Sequence, residues 1–201
     1  MAKCAFEVPL RRLRSEMAWL CAEFKKAARV PTNRLSQLAC EMTVIRMHDA
    51  WARFCRDLIV LSAAGNTITV GGTSLAPSRP DIHNSASVIP ILLTVKRWRY
   101  EPKWATASIA LDAARSLSIQ NLPNVSAALG AANSPAEPLR HIRNYYAHRR
   151  RETSTLALGT GYFTTNNLPD VIHLNSYTSG GLTVIESWVK VFDAVACASI
   201  Q

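Results

Sequence analysis

From about Arg34 to Ala64 the chain reads as one long helix. Leu35, Leu38, Met42, Ile45, Ala52, Cys55, Ile59 and Ser62 return at helical spacing, and only His48 and Asp49 interrupt the stripe near its centre. A helix of that length must bury its apolar side against other long elements. Upstream, Leu10, Leu13, Met17, Leu20 and Phe24 alternate steps of three and four in the same way. Val30-Pro31-Thr32-Asn33 separates the two stripes, because proline restricts the residue before it and Asn33 can cap the helix that follows. Two long stripes joined by so short a connection predict antiparallel neighbours in a bundle.

The middle of the chain is less regular. Asn66 to Leu75 alternates briefly around Gly71-Gly72, which predicts a small hairpin. Pro77, Pro80 and Pro90 then give a linker-like stretch up to about residue 95. The run KRWRYEPKW (96–104) mixes cations with aromatic rings on which bases can stack, although such aromatics more often tuck onto a core. A helix is expected from about Lys103 to Ser118, with Ala107, Leu111, Ala114 and Ile119 inward, and a further short helical turn over Leu122 to Ala131. Ser134 and Glu137 form a capping-box pattern, with Pro135 at the first helical position and Pro138 still within the first turn. After about Thr153 a short hairpin is expected between Leu156 and Tyr177, closed by Gly180-Gly181. A last helix carries Leu182, Ile185, Val189, Phe192 and Ala196 on one face. The prediction is an all-α protein: one domain over residues 1–201, an up-and-down bundle of four to five helices with insertions at about 66–95 and 156–180.

Charge narrows the function classes. Lys and Arg number 23 against 14 Asp and Glu, a formal charge of +9, and 17 of the 23 are Arg. Guanidinium forks match phosphate oxygens in pairs, so this bias favours a polyanionic partner, RNA or DNA, although charge alone does not identify one. Cys4, Cys21, Cys40, Cys55 and Cys197 form no CxxC pair and have no His at metal-ligand spacing, which reads as reduced thiols in a cytoplasmic protein. The opening MAKCAFEVPLRRLRSEM has no apolar core of a secretory signal, and LIVLSAA (58–64) and VIPILLTV (88–95) are too short to span a bilayer. No metal and no cofactor is called for.

The chemistry concentrates in RNYYAHRRR (143–151). Placed on a helix at about 100° per residue, Leu139, Ile142, Tyr145 and Tyr146 share the core side. His141, Asn144, His148 and Arg151 group roughly opposite, where core packing does not explain them. Arg143 stands about 140° from His148 on the same wheel. That separation hints at a composite cleft between two copies of the helix. An imidazole can take the proton of a ribose 2′-hydroxyl or protonate the leaving 5′-oxygen, because its pKa lies near working pH. A guanidinium can hold the scissile phosphate, and an amide one turn from the His can orient it. Arg140, His141, Arg149, Arg150 and Arg151 are candidates to hold neighbouring phosphates. Cations at a helix end are also favoured by the dipole alone. In a chain of this composition the string Arg-Asn-three residues-His is expected about 0.02 times by chance.

The motif Arg143-Asn144-Tyr145-Tyr146-Ala147-His148 resembles the R-(polar)-x-x-x-H signature of HEPN-domain ribonucleases. The order of parts is similar too: long helices before the motif, including HDAWARFCRDLIVLSA (48–63), and one amphipathic helix after it. The resemblance implies a HEPN-like helical bundle and a metal-independent endoribonuclease acting at a homodimer cleft. Arg143 and His148 carry over as catalytic residues and Asn144 as the intervening polar residue. It further implies a toxin or antiviral-defence effector restrained by an antitoxin or other regulatory protein. The alternative is a non-catalytic bundle of the same type that binds RNA or a protein partner.

Other candidates are weaker. His48-Asp49, mid-helix in an apolar pattern, reads as a satisfied polar pair or a partner contact. Asp81, His83 and Ser85 contain the residue types of a hydrolase triad but lack a nucleophile elbow. His173 is isolated, and LGTGYF (158–163) lacks the Lys-Ser/Thr of a phosphate loop.

Overall fold

The computed structural model describes residues 4–29, 33–165, 168, 170–178 and 180–201. Val30, Pro31 and Thr32, expected to separate the first two helices, lie outside the described residues. On either side stand α1 (Glu7–Ala27) and α2 (Arg34–Ala64). The predicted stripe of α1 is buried throughout, from Leu10 to Phe24. Asn33 caps α2 by accepting from the Leu35 amide at 2.9 Å. The cross-contacts Arg12–Asp57, Glu16–Arg53 and Trp19–Arg46 run in opposite senses along the two helices, so α1 and α2 are antiparallel.

α2 is the spine, packing against α1 and against most of the helices that follow. Its inward face is not the predicted one over the first half. Leu35, Leu38 and Met42 are exposed, and Cys40, Val44, Met47, Trp51, Phe54 and Leu58 point inward instead. Trp51 stacks between Phe54 and Phe192, with ring centroids 5.5 and 4.6 Å away. Each such ring contributes about 1.5–3 kcal/mol through its removal from water. The chosen face carries a buried carboxyl, Glu41, which is paired from another helix as described below. Gly65 stops α2 with φ 62°, and a Cβ there would sit 2.1 Å from the Ala76 carbonyl carbon.

The hairpin appears as β1 (Thr67–Ile68) and β2 (Ser74–Leu75), antiparallel, with Thr67 opposite Leu75. The linker expected up to residue 95 is corrected: its second half is a helix, α3 (Ser85–Lys96). Asn84 caps it, accepting from the Ala86 and Ser87 amides. Pro90 sits inside α3 because it and Ala86, whose carbonyl loses its amide donor, are both on the exposed side where water can replace it. Then follow α4 (Ala107–Leu117), which starts four residues later than expected because Lys103 to Thr106 form a loop, and α5 (Leu122–Leu129), close to expectation.

The motif lies on α6 (Ala136–His148). Its predicted capping box does not form: Ser134 Oγ accepts from the Ala136 amide at 3.4 Å, but Glu137 turns to Arg140. The single helix expected through Arg151 is also corrected. Arg149 adopts the left-handed conformation, φ 47° and ψ 39°, and a separate helix, α7 (Arg151–Leu158), begins two residues later. The hairpin expected from Leu156 to Tyr177 is replaced by the end of α7, a 3-10 turn (Val171–Asn175) and a lone bridge between Tyr177 and Thr183. The last helix, α8 (Val184–Ser199), closes the core with Ile185, Trp188, Phe192 and Ala196. Leu182 lies before it rather than on its face. Among the described residues the chain is therefore mostly helical, with eight α-helices where four to five were expected, and none of them is long and apolar enough to cross a membrane.

Candidate active site

Three distant segments enclose one cavity of about 470 Å³. The middle of α2 supplies His48 and Ala52, the loop before α4 supplies Pro102 to Thr106, and α6 supplies Arg140, Arg143, Asn144 and His148, with Thr153 of α7 at the edge. Three of these side chains are cations, two are imidazoles and none is acidic. The loop wall is fixed by Trp104, whose indole N–H donates to Glu101 at 2.8 Å while Arg56 holds the same carboxylate oxygen at 2.5 Å. That pair accounts for part of KRWRYEPKW: Trp104 is buried, whereas Tyr100 stands exposed beneath the Arg99 guanidinium.

The structure brings the three residues of the motif together. Arg143 and His148 line the same cavity of a single chain, so their separation on the wheel does not by itself require a second helix. Long side chains on a concave wall converge although their Cα atoms do not. Arg143 donates from Nη1 to Asn144 Oδ1 at 3.3 Å, and its buried Nε has no partner. Among the described residues no carboxylate neutralises it. Arg140, by contrast, is held by Glu137 through contacts of 2.8 and 2.6 Å, which leaves it a weaker anion ligand. His148 closes α6 as an exposed residue at the rim.

The other expected phosphate ligands lie elsewhere. His141 is half-buried beside Glu137 and Arg140 and does not line the cavity; burial, then Arg140, holds its pKa below the ordinary histidine value. Arg149 turns away to Glu41 on α2, and its guanidinium stacks over Tyr145 and Tyr146 with 5.8 and 5.6 Å to the ring centroids. The Glu41 contact raises its pKa further. Arg149 is thus a tether between α6 and α2. Tyr146 adds a second tether by donating to the Leu168 carbonyl at 3.0 Å. Arg150 and Arg151 are exposed beyond the cavity and remain available to a long polyanion.

Two lining residues escaped the sequence reading. Lys103 carried a signal, since it stands in the aromatic-basic run, but nothing tied that run to α6. His48 reads as a polar pair, and it is one: Nδ1 lies 3.3 Å from Asp49 Oδ1. It also faces the cavity. Burial holds its pKa below the ordinary value; the Asp49 hydrogen bond opposes this, and Arg143 and Arg140 reinforce it. Among the described residues no group of three or more His, Cys, Asp or Glu side chains is placed to hold a metal ion.

No family model matches the chain, and neither curated proteins nor solved structures provide a match. The cavity's own chemistry is what remains. A concave, acid-free site with a carboxylate-free guanidinium and two imidazoles can bind a phosphodiester and move protons at it.

Proposed function

We propose that this chain is a HEPN-type endoribonuclease that cleaves RNA without metal, by attack of the ribose 2′-oxygen on the adjacent phosphorus. The observation that carries the reading is the half-buried Arg143, without a carboxylate partner among the described residues, sharing an acid-free cavity with His148. Arg143 stabilises the charge developing on the phosphate oxygens. His148 moves the proton, and Asn144, bonded to Arg143, keeps the guanidinium aimed. Lys103, Arg150 and Arg151 hold flanking phosphates, which makes binding sensitive to salt. The helical core with the motif on a late helix is consistent with a HEPN-like bundle. A homodimer that brings two exposed His148 rims together, a role as toxin or defence effector, and a restraining protein partner belong to the same proposal.

The test is direct. Purified protein in EDTA should cut RNA to 5′-hydroxyl and 2′,3′-cyclic phosphate ends, and His148→Ala or Arg143→Ala should lower kcat by about 100-fold or more. RNA that stays intact, or that His148→Ala cuts as fast as wild type, ends the enzymatic reading.

A second reading, the non-catalytic binding bundle, is favoured by one observation. Trp19, Leu35, Leu38 and Met42 leave apolar side chains exposed on neighbouring stretches of α1 and α2, a surface suited to a protein partner. Binding of RNA without cleavage would select it.

A further inference from the structure

We infer that His48 is a second catalytic imidazole of this cavity: it takes the proton from the ribose 2′-hydroxyl, while His148 gives a proton to the leaving 5′-oxygen. The inference rests on the ribonuclease reading above and divides its proton chemistry between two residues.

Strand scission needs two proton transfers at opposite ends of the phosphorus. The O2′–H proton leaves as the O2′–P bond forms, and a proton arrives on O5′ as the P–O5′ bond breaks. One imidazole cannot face both oxygens at once in an in-line displacement. The cavity has imidazoles on separate walls, His48 from α2 and His148 from the end of α6, with Arg143 also on its lining. After one turnover His48 carries the proton of O2′ and His148 has lost its own, so exchange with solvent restores both and no other reactant is consumed.

The surroundings of His48 suit the base. A carboxylate can only accept, so the Nδ1 contact with Asp49 at 3.3 Å makes Nδ1 the protonated nitrogen and leaves the Nε2 lone pair bare. Nε2 makes no hydrogen bond among the described residues, although the side chain is only 16% exposed. The charged and titratable groups sharing its cavity are Arg140, Arg143 and His148 on α6 and Lys103 on the loop before α4, while Asp49, outside the cavity lining, bonds its Nδ1 from the same helix. Cations outnumber the single carboxylate. Burial first, then Arg143 and Arg140 against the opposing Asp49, keeps His48 neutral, the form a base requires, to lower pH than a solvated histidine. His148, exposed at the rim, has ready proton exchange with solvent.

The experiment uses the full chain with two substrates in EDTA: a single-stranded RNA labelled with fluorophore and quencher, and uridine 3′-(4-nitrophenyl phosphate), whose phenolate leaves without a proton. His48→Gln should lower kcat on both by about 100-fold or more. His148→Gln should lose as much on RNA and recover most of its rate on the nitrophenyl ester. Asp49→Asn changes a half-exposed side chain, and should move the acidic limb of kcat/KM to lower pH, because that carboxylate holds the His48 pKa up. A His48→Gln enzyme within about 3-fold of wild type overturns the assignment. So does an acidic limb that Asp49→Asn leaves in place, which decides the matter if His48→Gln does not fold. Wild type that cuts RNA, with His148→Gln dead and His48→Gln active, removes only this inference. Wild type inert on both substrates removes the ribonuclease reading and this assignment with it.

Discussion

The left-handed joint at Arg149 offers the sharpest test of how α6 is held. Its guanidinium makes a charge-assisted contact with Glu41, a carboxyl only 6% exposed, and lies over two tyrosine rings. A hydrogen bond to a charged group is worth about 1.5–3 kcal/mol. The ring contacts add about 0.5–1 kcal/mol at a partly exposed site. Arg149→Ala should therefore cost about 2–4 kcal/mol, the upper end reflecting a buried carboxyl left without its partner. For a chain of this size that corresponds to a Tm lower by about 4–16 °C. Arg149→Gly loses the same contacts but relieves a non-glycine residue of the left-handed region, so it should be about 1 kcal/mol less damaging than Arg149→Ala. Arg149→Ala combined with Glu41→Gln should recover part of the loss, since the buried partner is then neutral. Thermal and urea unfolding followed by far-UV circular dichroism measure all three. A Tm for Arg149→Ala within 1 °C of wild type would refute the tether, and equal values for the alanine and glycine variants would refute the backbone strain at Arg149.

Two further outcomes are expected. Glu186 accepts from Lys25 and from the Thr183 amide and hydroxyl, and these contacts, Lys25 first, pull its pKa down from 4.5 to about 2. Because the folded value is the lower one, the stabilisation is complete above about pH 4.5 and is lost as pH falls toward 2. The Tm gap between wild type and Glu186→Gln should accordingly close over that interval, and a constant gap would exclude the linkage. Lys103→Ala should flatten the salt dependence of RNA binding by about 0.7 in log Kd per log salt, one phosphate contact on a single strand, as read by fluorescence anisotropy. An unchanged slope would place Lys103 off the RNA path.

Much of the bundle was legible because local pattern and burial agree there. The α1 stripe, the Asn33 cap, α4, α5 and most of α8 follow from spacing and capping chemistry. The first half of α2 did not, because it presents two apolar faces. Leu35, Leu38 and Met42 match a helical stripe as well as Cys40, Val44 and Met47 do. What decides between them is Arg149, more than a hundred residues away, which lets Glu41 go inside. Pro90 disguised α3, since its missing amide is harmless only on a face that the sequence does not reveal as exposed. In the site, Arg143, Asn144 and His148 were visible as one string on one helix. His48 and Lys103 were not, because a cavity wall assembled from separate segments leaves no local period.

That assembly has a consequence for the chain as it is made. α2 leaves the ribosome long before α6, so through most of synthesis His48 faces no Arg143 and no His148. Any chemistry that needs both walls is silent in a nascent or prematurely ended chain and begins only when the motif helix docks. A chain that stops before α6 carries only the α2 and loop walls of this cavity.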